Sequence, residues 1–313
     1  MRIKNTVLAV TMLLFGALAL GQQTEQAAGA EAPPPQDDGL KLYISADMEG
    51  VAGAVTGEQL GPGGFEYERF REFMTAEVNA CIDAAREAGV TEILVSDSHG
   101  NGQNLLIEKL PDDVMVVRSW PRELGMMHGI DETFDAVIFL GYHSSTENTR
   151  GVRAHTMSSA NVTGLRINGT SMSEGSMNAA IAGDFGVPVI MVSGDDVAVA
   201  ETRVIVGDME GAVVKWAQGF HSARTLTPAA ARNEIRERTL DAFARLAEFE
   251  PYVLEGPLNV DLSLKHYQPV ELLAYLPNVE RLNSHTVRYV AGDMTDVSRF
   301  LRVALGYRVD LQP

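Results

Sequence analysis

Short apolar runs alternate along this chain with longer segments of helical spacing. Residues 40–46, LKLYISA, form an apolar run ending in small residues, which predicts a buried strand. Residues 67–88 carry apolar positions at helical spacing, and Gly89 stops them. Residues 91–96 and 136–140 predict two more buried strands, and 114–118 a further one. Helix is expected at 176–185, strand at 187–193 and helix again at 196–204. Strands alternating with helices predict an α/β fold: a mostly parallel sheet with helices on both faces.

The pattern changes after about Gly219. Residues 228–246 predict an amphipathic helix with many charges, and 252–264 alternate like a half-exposed strand. Helix, strand and helix follow at 270–276, 287–290 and 295–305. This predicts a smaller C-terminal α+β domain, residues 221–313, after a main domain at 40–220. The boundary is placed between residues 215 and 228.

The first 39 residues read differently. Arg2 and Lys4 precede an uncharged apolar run, residues 7–20, and Ala19 and Gly21 suit a small-residue cleavage site before Gln22. Residues 1–21 are therefore expected to be a secretory signal peptide, with a periplasmic or secreted mature chain. The run is shorter than the ~20 residues a membrane span needs. Residues 22–39, rich in Ala, Gln and Pro, are expected to be a disordered linker.

Charge narrows the partners. The chain has 25 Lys and Arg against 42 Asp and Glu, a net charge of −17. That disfavours nucleic acid and anionic membranes. Its one cysteine, Cys81, excludes an intrachain disulfide and falls on the apolar stripe of a helix, where it is expected to pack.

Candidate chemistry gathers at the strand ends. The first strand runs into Ser45-Ala46-Asp47-Met48-Glu49-Gly50. Asp47 and Glu49, two apart on extended chain, point to one side. They lie just past the C-terminal edge of a predicted parallel strand, where open α/β sheets bind ligands. Like-charged acids so close need a cation or a shared proton. Two more strands deliver His99, in Ser98-His99-Gly100, and His143, in Gly141-Tyr142-His143, to the same edge. Histidine with carboxylate is the usual ligand set of hydrolytic zinc. His155 follows a loop rich in small polar residues, and Glu174 opens a predicted helix, where an acid is also favoured by the helix dipole. Asp195-Asp196 follows another strand and suits either a supporting role at the site or a helix cap. His128, His221, His266 and His285 follow no buried strand and are read as surface or packing residues.

The pieces SADMEG, DSHG, FLGYH, RAHTMS, INGTSMSEGSMNAA and VSGDD, in this order and spacing, resemble the zinc-dependent D-aminopeptidase family of metallopeptidases. The resemblance runs from about residue 42 to 204. It implies metal ligands at Asp47, Glu49, His99, His143 and Glu174, with a catalytic histidine at His155. It further implies two zinc ions per chain, a homo-oligomer enclosing its active sites, and release of N-terminal residues from short peptides, some with D-amino acids. In such a site two zincs about 3.5–4 Å apart activate a water, with Asp47 the chosen bridge. His155 would then stabilise the oxyanion or shuttle a proton to the leaving amine. Two rivals stay open: another two-metal hydrolase such as a phosphoesterase, for which Arg150 and Arg153 would supply phosphate-neutralising charge, and a periplasmic metal- or peptide-binding protein.

Overall fold

Most of the expected elements form, and the departures decide how the two sheets are built. The computed structural model describes residues 39–306. The expected signal peptide, residues 1–21, and all but the last residue of the expected linker lie outside the described residues. The strands are β1 (Leu40–Ala46), β2 (Val90–Asp97), β3 (Met115–Val117), β4 (Ala136–Tyr142), β5 (Val162–Ile167), β6 (Thr170–Ser171), β7 (Val189–Asp195), β8 (Glu210–Gly219), β9 (Ser222–Thr225), β10 (Leu258–Leu264), β11 (Val279–Arg281) and β12 (Thr286–Ala291). The helices are α1 (Gly57–Leu60), α2 (Tyr67–Glu87), α3 (Glu174–Asp184), α4 (Asp196–Val206), α5 (Pro228–Ala244), α6 (Tyr267–Leu273) and α7 (Met294–Gly306).

The central sheet has the order β3-β2-β1-β4-β7-β8-β9 and is parallel except for the last pair. A parallel sheet must be covered on both faces, so its strands read as near-continuous apolar runs. β1 shows why. Leu42, Ile44 and Ala46 enter the core shared with α2 and α5, while Tyr43 enters the core shared with α3, α7 and the second sheet. Burying Leu42 and Ile44 contributes about 1.5–3 kcal/mol each, which fixes the strand whose end carries Asp47. Helix α2 ends where Gly89 takes φ +101°, a conformation open to glycine, before β2 begins.

The second sheet is antiparallel, ordered β11-β12-β10-β5-β6. It does not follow a division at residue 220. β5 and β6 come from the N-terminal side of that point, and β5 pairs with β10. Conversely α5 packs on α2 and β8, against the central sheet. β5 went unpredicted because Gly164 and Arg166 break up its apolar run, although Val162, Leu165 and Ile167 are buried. β8 and β9 also went unpredicted, since β8 carries Lys215 and Gln218 among its apolar residues. The described residues, 39–306, fall in one compact unit. No helix among the described residues is long and apolar enough to cross a membrane.

Candidate metal centre

The C-terminal ends of β1, β2 and β4 and the start of α3 bring six side chains together. Asp47 and Glu49 follow β1, His99 follows β2, His143 follows β4, and His155 lies twelve residues further along the loop to β5. Glu174 is the first residue of α3, behind a Ser173 N-cap that forms a capping box with Ser176. Glu174 is thus a helix N-terminal acid and a member of the cluster at once.

Distances define the centre. His99 Nδ1 lies 3.0 Å from Asp47 Oδ1 and 2.7 Å from Glu49 Oε2. His143 Nε2 lies 3.3 Å from Asp47 Oδ2 and 3.5 Å from Glu174 Oε1. His155 Nε2 lies 3.9 Å from both Glu49 Oε1 and Glu174 Oε1. Its ring stacks on His143 with centroids 4.0 Å apart. His155 therefore stands inside the cluster although it follows no strand. Its side chain is 12% exposed, against 1% for His143.

Backbone carbonyls select the free nitrogen of each histidine. His99 Nε2 donates to the Leu60 carbonyl at 2.6 Å, His143 Nδ1 to Ser144 at 3.1 Å and His155 Nδ1 to Arg153 at 2.7 Å. The other nitrogen of each ring faces the carboxylates, so once a metal displaces its proton it can offer a lone pair, the arrangement found behind metal-ligating histidines. Among the described residues, Asp47 Oδ2, Glu49 Oε2 and His143 Nε2 are buried without a hydrogen bond; the short Glu49–His99 approach lacks hydrogen-bond geometry. Buried polar atoms left unpaired are costly, and a divalent cation would satisfy all three. Two trios of candidate ligands, Asp47/Glu49/His143 and His143/His155/Glu174, each have ligand atoms within 4.8 Å of one another and share His143. The residues fit a metal.

Electrostatics point the same way. Burial, followed by the neighbouring Glu49 charge, raises the Asp47 carboxyl above its ordinary range. Burial would also raise Glu49, but the His99 charge overrides it and holds Glu49 well below the usual range. Glu174, buried but facing His143, is drawn down to about 2. Burial works against charge on His99 and His143, yet the carboxylates raise both well above the ordinary histidine range. Without a cation, protons on the histidines balance the acids.

Residues that sequence reading passed over hold this edge in shape. Lys215, fully buried in β8, donates Nζ–H to the carbonyls of Glu49, Val51 at 3.1 Å and Ala54 at 2.6 Å. Burial lowers it to about 8 despite nearby carboxylates. Glu77 of α2 accepts the Ala52 N–H at 3.0 Å, and burial pushes it up to about 7. Both were visible as charges inside apolar patterns: Lys215 in AVVKWA, Glu77 beside Met74 and Val78. Gly50 and Gly141 allow the β1 and β4 loops to touch, because a Cβ on Gly50 would sit 2.2 Å from the Tyr142 carbonyl. Asp97 accepts N–H groups of Asn104 and Leu105, while Asn104 donates to the His99 carbonyl. Lys215→Met should destabilise the protein by about 3 kcal/mol or more, since buried carbonyls left without donors cost about 1–3 kcal/mol each. Urea unfolding measures this, and a loss under about 1 kcal/mol would show that water replaces the ammonium.

The remaining candidates resolve structurally. Asp195 caps α4 through the N–H groups of Val197 and Ala198, and its other oxygen accepts the Val152 N–H at 2.8 Å. It therefore anchors the loop that carries His155. Asp196 accepts the Ala217 N–H. Arg153 lays its guanidinium over the Phe220 ring at 5.1 Å, and Arg150 is exposed. None of His128, His221, His266 and His285 joins either ligand trio. Cys81 is buried, as expected of a packing residue, with burial pushing its thiol up to about 12.

Comparison with known proteins bears on the whole body. Residues 40–303 match the family model described as D-aminopeptidase. The chain is 33% identical over 268 residues to a D-aminopeptidase of Bacillus subtilis (strain 168), covering 84% of this chain and 96% of that one. It superposes with a TM-score of 0.82 on a solved structure titled as the Zn-dependent D-aminopeptidase DppA from Bacillus subtilis, a self-compartmentalizing protease. That match has 32% identity and covers 85% of this chain and 97% of the other. With the family model and this relative both spanning most of the folded body, the chain belongs to the zinc-dependent D-aminopeptidase family and is an enzyme of that type.

Proposed function

We propose that this protein is a two-zinc aminopeptidase that removes N-terminal residues from short peptides, including peptides of D-amino acids. One observation carries the reading: two overlapping ligand trios share His143, and three of their buried ligand atoms have no hydrogen bond. Asp47 turns one oxygen to His99 and the other to His143, which suits a bridging carboxylate. Asp47, Glu49, His99, His143 and Glu174 would hold the metals. Bound zinc supplies Lewis acidity, lowering the pKa of water towards about 7 and polarising a carbonyl. His155, the more open histidine, lines a neighbouring cavity and is placed to donate or accept a proton at Nε2. Metal analysis of the purified protein, followed by assay of L- and D-aminoacyl peptides before and after chelation, tests the reading. Full turnover in a metal-free preparation would sink it.

Zinc retention should depend on pH in a defined direction. In the metal-free protein the raised His99 and His143 values favour folding below the ordinary histidine range, about 6.5. That contribution is lost as pH rises through the raised folded values. The lowered Glu49 and Glu174 values contribute above about 4.3 and lose their effect in acid. Zinc must displace the histidine protons, so its affinity should fall by roughly tenfold per pH unit for each proton displaced as the pH is lowered. The rise in melting temperature on adding zinc should therefore be larger at pH 9 than at pH 6. An equal rise at both would contradict the proton competition.

We propose also that the chain forms a homo-oligomer larger than a dimer. The solved relative is self-compartmentalizing by its title. In this chain Tyr267, Leu272, Tyr275, Leu276 and Leu282 are exposed within one short stretch, Tyr275 to 82%. Contiguous exposed apolar side chains mark contact surfaces. Light scattering at micromolar concentration should give a mass above that of a dimer, and Tyr275→Glu should lower it. A monomer or dimer in the parent protein would refute the assembly.

A further inference from the structure

Beside the metal centre lies a cavity of about 320 Å³ whose wall includes His155, Ala154, Phe220, Val162 and Lys265. Apart from His155, its one ionisable lining residue is Lys265, and no carboxylate lines it. That is unusual in a chain with net charge −17. Among the described lysines, Lys41 and Lys109 pair with Glu92 and Glu72, and Lys215 is buried among carbonyls. Lys265 is exposed, has no carboxylate of the described residues within 4.0 Å, and donates one Nζ–H to the Ser159 carbonyl at 2.5 Å. That contact fixes the ammonium and leaves two N–H groups free. Its main-chain N–H is held by the Asn161 carbonyl at 2.8 Å. Phe220 is pinned by the Arg153 guanidinium over its ring and by the Arg153 N–H on its carbonyl.

We propose that this cavity binds the leaving half of the substrate, and that Lys265 recognises the free α-carboxylate of a short peptide. The inference rests on the aminopeptidase reading above. His155 belongs to both the metal centre and the cavity wall, so the group it protonates, the leaving amine, points into the cavity. A cation on the cavity wall repels a peptide's ammonium end and attracts its carboxylate end, which sets the direction of binding. Ala154, Val162 and Phe220 offer apolar surface to the side chain next to the carboxylate. The volume, at the small end for ligand pockets of about 300–1,000 Å³, suits a short leaving half.

The test compares a D-alanyl dipeptide as its free acid and as its C-terminal amide, using the zinc-loaded full chain. The parent should favour the free acid at least tenfold in kcat/KM. Lys265→Met should bring that ratio close to one by raising KM for the free acid about tenfold, with kcat little changed, because the lost contact is made equally in ground and transition states. Lys265→Arg should restore the preference. A free-acid preference that survives Lys265→Met, or equal losses on both peptides, would overturn the subsite while leaving the peptidase reading intact. Cleavage of neither peptide by the zinc-loaded parent would overturn the peptidase reading and the subsite with it.

Discussion

Replacing His155 with Ala should leave the bound zinc in place and lower kcat by roughly two to four orders of magnitude, the range typical for losing a positioned proton-transfer group or oxyanion donor. The ring is held from behind by the Arg153 carbonyl and flat against His143, with Nε2 towards the carboxylates. It is also the cluster residue that reaches the cavity wall. A side chain in that position would reach a substrate in the cavity, whereas the more deeply buried His99 and His143 do not line it. Substrate binding should change little, so the loss should appear in kcat rather than KM. Metal content and kcat measured on the same sample decide the matter. Loss of one zinc would make His155 a ligand, consistent with its place beside His143 and Glu174. Normal metal with near-normal kcat would make it a padding residue.

Asp47→Asn should abolish activity by a different route. Both Asp47 oxygens face histidines, at 3.0 and 3.3 Å. The amide keeps the shape but loses the charge and one acceptor, so the centre should lose most of its metal. The metal-free variant should nevertheless be at least as stable as the metal-free parent. Burial and Glu49 already disfavour the ionised Asp47 carboxyl, and removing a buried like charge relieves that cost. Function and stability would then move in opposite directions, as expected where a site keeps charges for chemistry rather than for folding. Metal analysis and thermal unfolding of chelated protein measure the two effects. Retained zinc, or a clear drop in the stability of the metal-free form, would remove Asp47 from the bridging role.

Much of this centre was legible in the chain because a parallel strand announces itself. LKLYISA and AVIFL are buried on both faces, so their apolar runs are nearly unbroken, and the polar residues that follow them mark the sheet's C-terminal edge. Asp47, Glu49, His99 and His143 could be placed at one edge from that alone. Glu174 and His155 could not: an acid at a helix start and a histidine in a polar loop have ordinary explanations, and motif resemblance singled them out. Only the tertiary structure put them against His143, because the loop's path is set by Asp195 holding Val152 and by the Thr156 hydroxyl donating to the Met172 carbonyl.

The sequence by itself determined β1 to β4 and β7 of the central layer with the helices α2, α3 and α4 between and after them, since local periodicity records which faces are buried; β8 and β9, which complete that sheet, it did not mark. It did not determine how the second sheet is assembled. There β5 pairs with β10 across a long stretch of intervening chain, and α5 crosses back to α2. Such pairings depend on which half-apolar faces meet, and no local pattern records a partner. The buried Lys215 illustrates the same limit: its charge is readable in the sequence, but its task of tying down the carbonyls behind Glu49 exists only once β8 lies beneath the β1 loop.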